Sequence, residues 1–307
     1  MATHISKNTF VPLVRAHYLL FAPLSAVNYL SFLTLSGLLV STISPPMAHA
    51  QSAPTSLPIG QTFTLPSVAL RETRRINVYV PPGYADSVAS QLPVLYMPDG
   101  GIKEDFLHVA GLVQVLTTNG TMRPFLLVGI ENTARRRDLT GPTTSADDKK
   151  IAPQVGGSAA FRQFIRTELM PVIRQRYHTS AETAIIGESL AGLFVMETLL
   201  QEPDLFDTYV AFDPSLWWNN GWLVNQAQTR LQAYKGPAKT LYVASSSDDA
   251  RIPESRRLAP ALRAAAPQQL RWYYESMPAE THATIYHPAA LRALRLVFAP
   301  SKVPTAK

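Results

Sequence analysis

The chain has 307 residues, 46% hydrophobic and 16% charged, with a formal net charge of +6 and no cysteine. That apolar fraction supports a sizeable core and excludes wholesale disorder, and the missing cysteines exclude disulfide frameworks, thiolate metal sites, iron–sulfur clusters and cysteine nucleophiles. The modest positive excess does not point to nucleic acid, and 25 prolines against 15 glycines fit a loop-rich enzyme better than a coiled coil or a repeat array.

No Asp, Glu, Lys or Arg occurs from Ala16 to Leu70. Lys7 and Arg15 precede this stretch, the apolar run Tyr29–Ile43 lies within it, and Ala48-His49-Ala50 follows. A basic start, an apolar middle and a small-x-small end make residues 1–50 a secretory signal peptide, and its removal leaves a periplasmic or secreted protein without stable membrane association. The alternative is an uncleaved signal that stays as a membrane anchor. Losing Lys7 and Arg15 takes the formal charge from +6 to +4.

Residues 51–66, rich in Ser, Pro and Thr, read as a linker or first loop. Residues 67–300 read as one catalytic domain and 301–307 as a tail. Within the domain, strand and helix signals alternate. Arg75–Val80 alternates apolar and polar residues and stops at Pro81-Pro82-Gly83. Pro93–Met97 and Phe125–Ile130 are short apolar runs, as buried parallel strands are. Phe106–Leu116 has helical spacing, and 131–155 is polar enough for a long surface loop. Ser158–Tyr177 places Phe161, Phe164, Ile165, Leu169 and Ile173 on one helical face. Strands at Thr183–Ile186, Tyr209–Phe212, Thr240–Ala244 and Leu270–Glu275 then alternate with helices at Leu190–Leu200, Pro253–Ala266 and Pro288–Phe298. The order predicts an α/β fold, a mainly parallel sheet with helices on both faces and an N-terminal antiparallel hairpin.

The residues that point to chemistry are Ile185-Ile186-Gly187-Glu188-Ser189-Leu190-Ala191-Gly192. An apolar strand runs into Gly-x-Ser and a helix follows at once, which is the setting of a nucleophile elbow. The usual second glycine is Ala191, small enough for the same turn. A serine hydroxyl needs a base to take its proton. In the hydrolase order of serine, acid and histidine, that base is His282 or His287; His282, in the loop after the Leu270–Glu275 strand, is preferred. The acid is expected after Thr240–Ala244, where Asp249 has the better spacing to Pro253, with Asp248 as alternative and Glu254 behind them. The backbone N–H of Leu190 is one expected oxyanion donor. Gly101, or alternatively Gly100, in the Asp99-Gly100-Gly101 turn is the other.

Together with Leu95-Tyr96-Met97-Pro98-Asp99-Gly100, Arg137-Asp138-Leu139-Thr140 and Asp213-Pro214-Ser215-Leu216-Trp217-Trp218, these residues resemble the bacterial "putative esterase" family of α/β-hydrolases, over about Pro93 to Val297. The Pro-Ser-Leu-Trp-Trp run is most similar to the siderophore-esterase branch. Glu188 stands where His is frequent in the family, and Ala191 where Gly is. The resemblance implies hydrolysis of a small-molecule ester by Ser189 and His282, by a dyad or with an acid near Asp249, without a cofactor. Trp217 and Trp218 are candidates to line an aromatic acyl or catechol pocket, against a plain core role. Arg137, beside Arg135 and Arg136, is a candidate to attract an anionic substrate, against a solvated loop in which it pairs with Asp138. No metal site is expected, because His282 and His287 alone do not form a ligand set. The competing readings are an acyltransferase or thioesterase of the same fold, and an exported binding protein without catalysis.

Overall fold

A computed structural model describes residues 55–84 and 91–300. Residues 1–50, read as a signal peptide, 51–54 of the expected linker and the expected tail 301–307 lie outside the described residues.

Strand periodicity explains the layers. In β3 (Leu92–Pro98), Val94 and Tyr96 join one apolar cluster while Leu95 and Met97 join another. The same split recurs in β6 (Thr208–Phe212), with Tyr209 and Ala211 on one side and Val210 and Phe212 on the other. Successive side chains of a strand point to opposite faces, so runs that are apolar throughout need cover on both. The first face is covered by α6 (Leu190–Gln201), α7 (Trp218–Ala233) and α8 (Leu258–Ala265). The second is covered by α1 (Phe106–Thr118) and α9 (Tyr286–Val297). Every residue of α6 from Leu190 to Leu200 is buried, so this central helix is packed on all sides and is apolar but for Glu197 and Thr198.

The sheet has eight strands in the order β1-β2-β4-β3-β5-β6-β7-β8. β1 (Gln61–Ser67) and β2 (Glu72–Tyr79) form an antiparallel hairpin, and β2 also pairs antiparallel with β4 (Leu126–Ile130). From β4 onward, through β5 (Thr179–Glu188), β7 (Lys239–Ser246) and β8 (Leu270–Met277), all pairs are parallel. This is the α/β-hydrolase fold. Its parallel strands all end at one edge, where loops carrying chemistry gather.

Three segments differ from the sequence reading. Residues 61–66 belong to β1 rather than to a linker; the strand lies at the sheet edge, so its alternation (Phe63, Leu65) is diluted by exposed Thr and Gln. The 131–155 segment is not a plain surface loop. It holds two short helices, α2 (Arg135–Asp138) and α3 (Ala146–Ile151), and Asp138 to Gly141 are buried. Buried Arg74 pairs with Asp138 and with Glu72, and Arg137 pairs with both of those carboxylates, which pins the segment to β2. Helix α7 is a third difference. The Ser158–Tyr177 helix is a continuous helical run, α4 (Ser158–Phe164) and α5 (Met170–Arg176) joined through a π-helical turn at Ile165–Leu169.

Candidate active site

Three strand ends carry a non-glycine residue with positive φ: Asp99 after β3 at 57°, Ser189 after β5 at 59° and Asp213 after β6 at 39°. Each costs on the order of 1–3 kcal/mol and persists only where its surroundings over-determine it. At Ser189 they do. Its N–H donates to the Phe212 carbonyl (3.0 Å), and its own carbonyl accepts from Ser215 N–H (3.0 Å) and Leu193 N–H (2.8 Å). The turn closes because its neighbours are small. A Cβ on Gly187 would stand 2.7 Å from the Ala191 Cβ, and one on Gly192 would stand 2.9 Å from the Phe212 carbonyl oxygen. Ala191 is tolerated because Gly187 opposite it has no side chain.

The strained turn lifts the Ser189 hydroxyl toward the loop after β8. His282 Nε2 lies 3.2 Å from Ser189 Oγ, and His282 Nδ1 lies 3.1 Å from Asp213 Oδ2. The loop is held in place from β7: Ser247 N–H and Oγ donate to the Glu280 carbonyl (3.0 and 2.9 Å), and the His282 backbone N–H donates to Asp248 Oδ2 (3.0 Å). Asp213 is 2% exposed, and its oxygens accept from Ser246 N–H (2.6 Å) and Ser246 Oγ (2.5 Å). The hydrogen bond that the His282 Nδ1–H donates to the Asp213 carboxylate is the main cause that raises the His282 pKa above the usual imidazole value, against partial burial, which lowers it.

The sequence reading therefore needs correction at the acid. Asp249 sits in a 3₁₀ turn (Asp249–Arg251) with its carboxylate taken by Ser245 Oγ (2.6 Å) and Ser255 Oγ (2.5 Å), and the ring's hydrogen bond goes to Asp213 instead. Burial raises the Asp249 pKa. Asp248 holds the backbone of the histidine loop rather than the ring, and Glu254 lies beside Gly221 at the start of α7. The cause is topological. β6 and β7 pair in register, Phe212 opposite Ala244, so Asp213 leaves the sheet one step beyond that pair while Asp249 lies a turn further along.

The oxyanion donors also differ in part. Leu190 opens α6, where its N–H has no carbonyl within the helix to bond. Gly101 N–H instead donates to Glu104 Oε2 (2.7 Å), and Gly100 N–H to the Ile130 carbonyl (3.0 Å). The Gly101 amide is spent within the 99–105 turn, which closes on itself with Asp105 N–H donating to the Asp99 carbonyl (3.0 Å), and the Gly100 amide is spent on the end of β4. Gly100 is required there for another reason: a Cβ would stand 2.3 Å from the Gly129 Cα.

A cavity of about 200 Å³ opens over the serine, lined by Ser189, Ser215, Trp217, Ile252 and His282 among others. Trp217 thus borders the site. Trp218 is buried and faces a different cavity, with its indole N–H on the Gly141 carbonyl (2.8 Å). Arg137 is engaged by Glu72 and Asp138, which leaves no fork for a substrate anion, and Arg135 is paired with Asp99. His287 stands beside His108, 5.6 Å between ring centroids, and does not line the serine cavity.

Glu188 is the feature whose consequence the sequence did not disclose. Half-buried beside the serine, it has its pKa raised to about 7, chiefly by burial, with nearby His282 opposing and Asp105, Asp213 and Asp99 adding to the rise. Its negative charge in turn favours imidazolium on His282. A histidine acting as base must be neutral, so the acid limb of kcat/KM should lie above the ordinary imidazole pKa of about 6.5. Glu188→Gln removes one cause of the rise, so the limb should move to lower pH. A pH–rate profile checks this; an unmoved limb, or one displaced upward, contradicts it.

Comparison with known proteins agrees with this architecture. Residues 67–287 match the family described as Putative esterase. The ferri-bacillibactin esterase BesA of Bacillus subtilis is 27% identical over 265 residues, covering 78% of this chain and 92% of that protein. The crystal structure of an IroE-like serine hydrolase from Shewanella oneidensis superposes with a TM-score of 0.71 at 30% identity, over 78% of this chain and 80% of the other. The siderophore hydrolase EstB from Aspergillus nidulans shares the fold, with a TM-score of 0.65 at 21% identity over 84% of this chain and 100% of its own.

Proposed function

The chain belongs to the esterase family and is a carboxylic-ester hydrolase, and on that footing we propose that it cleaves its ester by two-step acyl transfer on Ser189. The observation that carries the mechanism is the continuous hydrogen-bonded relay from Ser189 Oγ through both nitrogens of His282 to buried Asp213. Asp213 holds the proton on Nδ1, which leaves the Nε2 lone pair facing the hydroxyl, and it stabilises the imidazolium formed as that proton is taken. Ser189 attacks the ester carbonyl. The developing oxyanion meets the Leu190 N–H and the positive end of the α6 dipole. His282 then gives its proton to the leaving alcohol, and on the return half-reaction it activates water to release the acid.

The proposed substrate is a siderophore of the catechol-ester class. The support is similarity to a ferri-bacillibactin esterase over 92% of that protein, and an indole, Trp217, at the wall of the serine cavity for an aryl group to pack on. We further propose that the protein is exported through its first 50 residues and works in the periplasm or outside the cell. Among the described residues no helix is long and apolar enough to cross a membrane.

Intact-mass analysis after treatment with a fluorophosphonate tests the nucleophile: one adduct is expected on the wild type and none on Ser189→Ala. Parallel assays on a ferric tricatechol lactone and on p-nitrophenyl acetate test the substrate. Faster specific turnover of the lactone supports the siderophore reading. Turnover of the aryl ester alone leaves the hydrolase and removes the siderophore. An unlabelled wild type overturns the mechanism.

A further inference from the structure

Beside the hydrolytic pocket, on the other side of the Trp217–Trp218 pair, lies a second cavity of about 390 Å³ between α6, the start of α7 and residues 141–144. The two cavities share no lining residue. Leu193, Leu223, Trp218 and Trp222 make the second one apolar, and Trp222 keeps 39% of its surface exposed. The Arg230 guanidinium lies 5.4 Å from the Trp222 ring centroid, which helps hold the indole at the cavity wall.

The floor is polar. Glu197 lines the cavity and is 4% exposed. Its Oε1 accepts from Ser158 Oγ (2.7 Å) and Arg162 Nη1 (3.0 Å). Among the described residues no donor reaches Oε2. That oxygen is turned toward Gly141, where a Cβ would stand only 2.9 Å away, so the glycine keeps the space above it open. A hydroxyl that donates to this cavity-facing oxygen makes a charge-assisted hydrogen bond, stronger than one between neutral partners. Arg162 already pairs with Glu197, and its second partner, Glu202, is answered by Arg166. A second cation would leave a surplus charge in an apolar cavity, whereas a neutral hydroxyl brings a donor and no charge.

The wall is also held in place. Asn219, Asn220 and Gly221 all have left-handed backbone, with φ of 50°, 54° and 72°. Asn219 is held by two segments at once: its Oδ1 accepts from Thr144 N–H (3.0 Å) and its N–H donates to Asp148 Oδ2 (2.8 Å). This fixes Trp218 and Trp222 on either side of the turn. Asn and Gly adopt this backbone readily, and the contacts hold the turn in one geometry.

We propose that this cavity is a second binding site, separate from the catalytic pocket, for a small neutral aromatic alcohol whose ring packs against Trp218 and Trp222 and whose hydroxyl donates to Glu197 Oε2. The site does not depend on the hydrolytic reading, and only the blocking step of its test uses Ser189 as a nucleophile.

The test uses 2-naphthol as probe and naphthalene as the control without a donor, titrated into protein whose Ser189 has been blocked with a fluorophosphonate. Saturable binding of 2-naphthol at one site is expected. Naphthalene should bind about ten- to a hundred-fold more weakly, the loss that goes with a hydrogen bond to a charged group. Trp222→Ala, at an exposed position, should fold and weaken 2-naphthol about ten-fold through the lost ring contact. Glu197→Gln, where it folds, should narrow the gap between the two probes. Absence of saturable binding, equal affinity for the two probes, or indifference to Trp222→Ala each overturns the proposal. If the blocked protein does not bind and the unblocked protein does, the site is the catalytic pocket and the proposal fails in that way too.

Discussion

Asp213→Asn is expected to lower kcat by about 10⁴-fold, the loss that follows when a catalytic imidazole is held in the wrong tautomer. The Asp213 oxygens are not equivalent. Oδ1 accepts from the Ser246 backbone N–H, which can only donate, while Oδ2 faces the Ser246 hydroxyl and His282 Nδ1. An asparagine must therefore keep its carbonyl on the backbone amide and turn its NH₂ toward the imidazole. The hydroxyl adapts by accepting. The ring adapts by giving up its proton on Nδ1 and carrying it on Nε2, where it can no longer accept from Ser189. Asp249→Asn should behave differently. Its carboxylate bonds two serine hydroxyls that can rotate and makes no hydrogen bond to the ring, so kcat should fall by less than about ten-fold. Steady-state kinetics on one soluble aryl ester, with circular dichroism to show that both variants fold, separate the two acids. Equal losses, or a deeper loss at Asp249, would return the role to the residue after β7. The acid limb adds an independent readout: without the Asp213 charge the His282 pKa should drop, so whatever activity remains should extend to lower pH.

Much of this site is legible in the sequence because its logic is local. A buried strand, Gly-x-Ser and a helix specify the elbow within eight residues, and chain order leaves two histidines to choose between. The acid is different. Asp213 stands at the end of a buried apolar strand and before a proline, which in sequence reads as an ordinary strand-end turn. Only the pairing of β6 with β7 brings it beneath the imidazole, and that register is not written in either strand alone. The oxyanion glycine misleads for the opposite reason. Gly-Gly after a strand does signal an exposed amide, but a carboxylate three residues on, Glu104, folds back to take it. Helix α7 escapes notice because Asn219-Asn220-Gly221 in its first turn is a turn signature, and the backbone there is indeed left-handed. Arg137 reads as solvated until the buried Arg74 and Asp138 beneath it are seen. The sequence thus discloses elements and local turns, while pairings across strands and between loops decide which polar groups remain available.

Ser189→Ala and His282→Ala should each reduce kcat by roughly 10⁶-fold, and the double variant should lose hardly more than either. The two act as one unit: without the ring the hydroxyl keeps its proton, and without the hydroxyl the ring has nothing to activate. Neither change should prevent substrate binding, because Trp217, Ser215 and Ile252 still line the cavity, so KM should move far less than kcat. His282 also has a structural side. Its backbone N–H on Asp248 and the Ser247 bonds to Glu280 do not involve the imidazole, so truncation at Cβ leaves the loop anchored and its loss is a loss of chemistry. A residual rate above water is expected in all three variants, since the Leu190 amide and the α6 dipole still polarise the carbonyl. A double-variant cycle reads the coupling. If the double loss equals the product of the single losses, serine and histidine work independently and the relay is wrong. If His282→Ala keeps more than about one part in a hundred of the wild-type kcat, another base serves Ser189, since a true partner is worth far more than that.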